Sequence, residues 1–173
     1  MKKIALLLSI FISYMTNSYG SAPAPEEALL PDTVKEEIAK ENEMTVKSIH
    51  AFPKGTLKWG DSYISAIVFE DSIKNCSIYI FANDSLSPLF NGAPCEFKGG
   101  GEINFSRASA APDILYRVKL FLPNRGAMVD NLIAFYFDSE KKTYCESQSL
   151  ASWYETGNKT MKPDLSDGKC TAE

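Results

Sequence analysis

Along residues 113–122 apolar and polar side chains alternate. Ile114, Tyr116, Val118, Leu120 and Leu122 fall on one face of an extended chain, and Leu115, Arg117, Lys119 and Phe121 on the other. That period predicts a strand with one core face and one half-covered face. Residues 132–137, LIAFYF, are apolar throughout, the pattern of a central strand covered on both sides. Between them lies PNRGAMVDN, residues 123–131, so the two strands are expected to form a hairpin at the heart of the fold.

Shorter runs of the same texture, rich in Ile, Val, Tyr and Phe, predict further strands over 45–52, 63–69, 77–81, 102–105 and 143–146. Asn91-Gly92, the triple glycine 99–101 and Asn124 to Gly126 punctuate them. Seven short strands at this spacing imply a mainly β fold, an antiparallel sandwich or a curved, barrel-like sheet. One short N-terminal helix is expected from Asp32, with that residue as N-cap, acids in the first turn, and Val34 and Ile38 forming a narrow apolar stripe helped by Leu30. No strong helical period follows it. Residues 21–31, SAPAPEEALLP, read as a flexible segment before a single domain over 32–173.

The first twenty residues change the picture. Lys2 and Lys3 precede an apolar run over 4–12 and then small polar residues, which is the order of a secretory signal peptide. The run is about half of the roughly 20 residues that a membrane-spanning helix needs, so cleavage is expected, with Ser21 beginning the mature chain. No cysteine lies at that junction to take a lipid. The setting is therefore periplasmic or secreted.

In such a compartment the four cysteines, Cys76, Cys95, Cys145 and Cys170, imply two disulfides. Loop-closure entropy does not distinguish the three pairings, and nearness in sequence favours Cys76 with Cys95 and Cys145 with Cys170. Zinc has little support, since there is no CxxC or HxxxH spacing and only one histidine. The formal net charge of −4 becomes −6 once Lys2 and Lys3 leave with the leader. That balance disfavours nucleic acid, whose binding is driven by cationic side chains, and suits a basic protein partner.

Candidate chemistry is sparse. The glycines of CEFKGGGEINF lead into another strand pattern rather than a helix, so a phosphate loop is the weaker reading and a bulge or wide turn using positive φ the stronger. Any Ser–His or Cys–His mechanism must pass through His50, which sits inside a strand pattern with no nucleophile turn nearby. Glu70, Asp71, Glu96, Glu102 and Asp113 are the arithmetic candidates for a glycosidase carboxylate pair, and Asp130, Asp138 and Glu140 for calcium, without spacing that singles any out.

Trp59, Trp153 and Tyr154 stand beside turn-like or polar residues, where flat rings can stack on sugars or anchor a protein interface. Arg125, Asp130 and Asn131 are expected to project from the end of the central hairpin, where binding residues often occur. With no cofactor fingerprint, the leading expectation is an exported, non-enzymatic binder of a protein partner, of the inhibitor or toxin-immunity type. The alternatives are a carbohydrate or small-ligand module and a cell-wall or glycan hydrolase.

Overall fold

The computed structural model describes residues 23–70, 75–92, 94–107, 109, 111–157, 160 and 162–170. The expected leader and its junction at Ser21 lie outside them. Two antiparallel sheets face each other. The first contains β1 (Glu26–Glu27), β2 (Ile49–Trp59), β3 (Ser62–Phe69), β4 (Cys76–Ala82) and β5 (Ser85–Gly92), paired in that order. The second runs β11 (Lys169–Cys170), β10 (Thr143–Glu146), β9 (Ala127–Asp138), β8 (Asp113–Leu122) and β6 (Cys95–Phe97), with β7 (Glu102–Asn104) also pairing β8. The fold is thus mainly β, a disulfide-stabilised sandwich, as the alternating pattern predicts.

The core lies between the sheets. Leu57, Ile64, Ala66, Ile78 and Ile80 of the first sheet meet Ile114, Tyr116, Val118, Ile133 and Phe135 of the second. The inward set of β8 is the alternate set expected for it. Two tyrosines are buried whole, and each finds an acceptor for its hydroxyl: Tyr116 donates to Gly55 O at 2.8 Å and Tyr144 to Pro112 O at 3.1 Å. Burial alone pushes the Tyr116 hydroxyl far above its usual range, so it serves as a neutral donor.

Each sheet carries a helix on its outer face. Helix α1 (Asp32–Glu41) buries Val34, Ile38 and Ala39 against Ile49, Ile67, Phe69 and Tyr79. A ten-residue helix is marginal alone, and each buried aliphatic side chain supplies about 1.5 to 3 kcal/mol, so docking is what holds it. Asp32 opens this helix but does not cap it, since its carboxylate pairs with Lys35 at 2.9 Å. Helix α2 (Gln148–Thr156) was not anticipated. Leu150 and Ala151 pack it on Leu115, Leu132, Ala134 and Tyr136.

Other differences have local causes. Residues 23–31 are not loose: Pro25 and Leu30 are buried, Glu26 and Glu27 pair with Lys58 and Leu57, and Ala28 N donates to Thr56 O. Leu30 extends the apolar stripe of α1 and draws the segment down with it. Strand β2 starts later and runs further than expected, through Pro53 and Gly55, because a bulge between Ala51 and Thr56 absorbs the proline. Residues 46–48 instead form a single 3-10 turn.

The triple glycine meets that bulge. Gly101 N donates to Lys54 O at 2.9 Å, and a Cβ on Gly100 would collide with the Lys54 backbone. Close approach, not positive φ, demands glycine here, for the positive φ falls on Lys54 itself.

Both disulfides join the partners expected from their nearness in sequence. Cys76–Cys95 links β4 to β6 and so ties the sheets together, and Cys145–Cys170 joins directly paired residues of β10 and β11.

Candidate functional site

The β8–β9 hairpin holds three of the residues singled out from the sequence. Its connection is far shorter than the nine residues expected. A turn over 123–126 closes it, with Arg125 N donating to Leu122 O at 3.0 Å and Gly126 taking φ +59°. Pro123 presets the first corner and glycine supplies the left-handed one. Residues 127–131 are already strand, paired in register with 118–122.

This register separates the three residues. Arg125 stays exposed at the turn. Asp130 lies opposite Lys119, on the face away from the core, and Asn131 lies opposite Val118, on the core-side face. Asp130 and Asn131 therefore do not project together from the hairpin end. The reason is the period of two: neighbours on a strand point to opposite sides.

The outward face of the hairpin has its own composition. Near α2 it is covered, through Leu115, Leu132 and Ala134. Beyond the helix come Arg117, held 3.4 Å from Glu102, and then the cross-strand row Glu96, Lys119 and Asp130. Outermost, Phe121 and Met128 sit opposite each other, 36% and 41% exposed. Two large apolar side chains thus stand side by side in water, bordered by charges of both signs. Neither was singled out from the sequence, although the spacing that places Phe121 on the outer face of β8 was legible there.

The aromatic residues do not gather into a platform. Trp59 is 7% exposed and packs edge-on against Tyr144, with ring centroids 4.6 Å apart, so it is core and open to no sugar. Trp153 and Tyr154 are neighbours on α2 with rings at 83°, which offers no shared flat surface. Tyr154 points inward, donating to Asp113 Oδ2 at 2.7 Å.

The described acid candidates each have a basic side chain close by. Glu70 lies 3.5 Å from the exposed His50, Glu96 3.1 Å from Lys98, and Asp113 2.6 Å from Arg107. Asp71 falls outside the described residues. Asp113 is wholly buried and receives Arg107 Nε as well as Nη2, together with the Tyr154 hydroxyl. Its oxygens are thus committed to a structural knot that joins the segment after β7 to α2. Arg107 gave no signal in the sequence, because its stretch has no period.

Asp138 likewise accepts from Glu140 N and Lys141 N within the β9–β10 turn. It also lies near Cys145 and Cys170, but those two sulfurs are joined to each other and offer no thiolate to a metal. Among the described residues no helix is long and apolar enough to cross a membrane.

Comparison of the chain with models of protein families, with curated proteins and with solved structures found no match in any of the three.

Proposed function

We propose that this chain is an exported, non-enzymatic binding protein, periplasmic or secreted, that engages a protein partner through the outer face of the β8–β9 hairpin, as inhibitors and toxin-immunity proteins do. The supporting observation is the adjacent pair Phe121 and Met128, exposed near the end of the β8–β9 hairpin beyond the reach of α2. Aromatic and methionine side chains are enriched in interface centres, and a charged rim such as Glu96, Lys119, Asp130 and Arg125 orients the partner. The acidic net charge favours a basic protein. Two disulfides and the leader-like first twenty residues agree with an oxidising compartment. The hydrolase alternative draws no support from Glu96, Glu102 and Asp113, each of which faces a lysine or an arginine.

The test is capture of a partner by the immobilised mature protein from periplasmic extract and culture medium, in parallel with a Phe121→Ser, Met128→Ser double variant. Both side chains are exposed, so the variant is expected to unfold within about 0.5 kcal/mol of the parent. The expected result is one protein retained stoichiometrically by the parent and lost by the variant. Retention of the same protein by both would remove the hairpin from the account, and retention of none would remove the proposal.

A further inference from the structure

Strand β9 outruns its outer neighbour. Strand β10 pairs with residues 135–138 of β9, and Ser147 N adds one more bond, to Ala134 O. The chain then enters α2 and crosses the outer face to Asp113, at the end of β8 farthest from the hairpin turn, where the Tyr154 hydroxyl is held. β9 continues the other way to Ala127, paired to β8 on its inner side over residues 127–135. Alternation fixes which backbone groups face out. Ala134 faces β10, so Leu132, Asp130 and Met128 turn their N–H and C=O groups to the same side, and Ile133, Asn131 and Val129 turn theirs to β8. Among the described residues no strand or loop bonds to that outward row. The chain outside the described residues joins other places: 71–74 lead into β4, which Cys76 ties to β6 on the far side of β8, and 158, 159 and 161 follow α2 past Tyr154.

The other sheet edges are blunted. The first sheet ends in β1, of two residues, and in β5, where Pro88 removes a donor in mid-strand. The second ends in β11, of two residues, and in β6 and β7, of three each. Short strands and prolines of this kind keep an edge from pairing with another chain. The β9 overhang, AMVDNLI over 127–133, has no proline and no glycine. It does carry Asp130 at its middle, which decides the occupant. Two copies of the chain pairing antiparallel along this edge, at the fullest overlap, would set their Asp130 side chains directly opposite each other, and like charges there are destabilising. A lysine or arginine opposite Asp130 reverses that sign, and the acidic net charge of the chain acts in the same direction.

We infer that the outer edge of β9 receives an extended, basic segment of a protein partner as an added antiparallel strand. Main-chain bonds to Met128, Asp130 and Leu132 supply affinity, and side chains on the shared face supply choice. A cation stands opposite Asp130, and an apolar residue two positions along stands opposite Met128, whose other neighbour is Phe121. The inference rests on the reading of the hairpin as a protein-binding surface and gives the form of the segment that binds there.

The test is a nitrogen-15 NMR titration of the mature protein at low ionic strength with a blocked peptide, Leu-Thr-Lys-Thr-Leu-Thr-Lys-Thr, and separately with its counterpart bearing glutamate for lysine. The expected result is saturable shifts confined to residues 127–132 and the facing residues of β8, with slowed hydrogen exchange of the Met128 and Asp130 amides. The glutamate peptide is expected to bind about tenfold or more weakly by comparison. Asp130→Pro deletes an outward N–H and leaves the bonds to β8 in place, so it is expected to stay folded and weaken binding by about tenfold or more. Asp130→Asn, which keeps that N–H and loses only the charge, is expected to retain more binding than the proline variant. If Asp130→Pro does not fold, protection of the two amides decides alone. Absence of saturable shifts, shifts mapping elsewhere, equal affinity for the glutamate peptide, or unchanged binding in the folded proline variant would each overturn the inference. The hairpin reading stands or falls separately, on protein capture: a partner lost by the Phe121→Ser, Met128→Ser variant but kept by Asp130→Pro would uphold that surface and overturn the added strand.

Discussion

Asp113 sits at 0% exposure with its carboxylate between Arg107 and Tyr154, so its stability rests on partners and not on water. Removing one member of such a buried pair strands the other's charge, which costs about 3 to 5 kcal/mol. Arg107→Ala is therefore expected to lose that much in a urea titration, whereas Asp113→Asn with Arg107→Ala, which leaves no bare charge, is expected to lose less than Arg107→Ala alone. Equal losses would mean that the pair is not what holds the segment after β7. At this scale the sequence was partly legible. The inward residues of β8 followed from alternation, but Asp113 was only one acid among several, and its role depends on an arginine six residues earlier, brought close by an aperiodic loop. Trp59 shows the same limit: a polar neighbourhood in sequence places a ring near a turn, not in the solvent.

Helix α2 shows what an element's ends disclose. Ser147 accepts from Leu150 N as N-cap, Gly157 closes the helix at φ +64°, and Leu150, Trp153 and Tyr154 repeat at three and four residues. Those signals are in the sequence, and the polar run around them concealed the period. Strand β5 is similar. Asn83 and Asp84 both take positive φ in the tight turn before it, a hairpin signal, while Pro88 argues against a strand in general but not against an edge strand.

A tail residue completes the cap of α2. Asp167 accepts from the Ser147 hydroxyl at 2.6 Å and from Ser149 N at 2.9 Å, and these bonds, the Ser147 one foremost, hold its carboxyl below the usual carboxylate range. A folded pKa below the unfolded one gives stability that is present above the unfolded value and lost as pH falls through the folded value. Asp167→Asn is therefore expected to cost about 0.5 to 1 kcal/mol at neutral pH, given its exposure, and nothing once the medium is acid enough to protonate the folded carboxyl. Urea midpoints of parent and variant along a descending pH series measure this. A difference that persists unchanged into strong acid would refute the assignment.

At the scale of the whole molecule, Cys76–Cys95 spans the sandwich and Cys145–Cys170 fastens a two-residue strand at its margin. The loops they close, 19 and 25 residues apart, are too similar for chain entropy to separate, at about 3 kcal/mol each. Cys76 and Cys95 are both buried between the sheets, whereas Cys170 is partly open. Paired serine replacement is thus expected to cost more at Cys76 and Cys95, because two hydroxyls are then buried in an apolar core. Chemical unfolding of the two double variants decides the order, and a larger loss at Cys145 and Cys170 would contradict it.

What the chain determined by itself were properties carried by neighbours in sequence: the period of two that makes it a β protein, the turns that divide the strands, and the cysteine count. Nearness along the chain even favoured the disulfide partners that formed. What only the tertiary structure decided was which surfaces are left over. The hairpin register sent Asp130 and Asn131 to opposite faces, and the docking of α2 ended short of Phe121 and Met128. The physical reason is that exposure belongs to no residue alone. It depends on what packs against a side chain, and that partner is often tens of residues away.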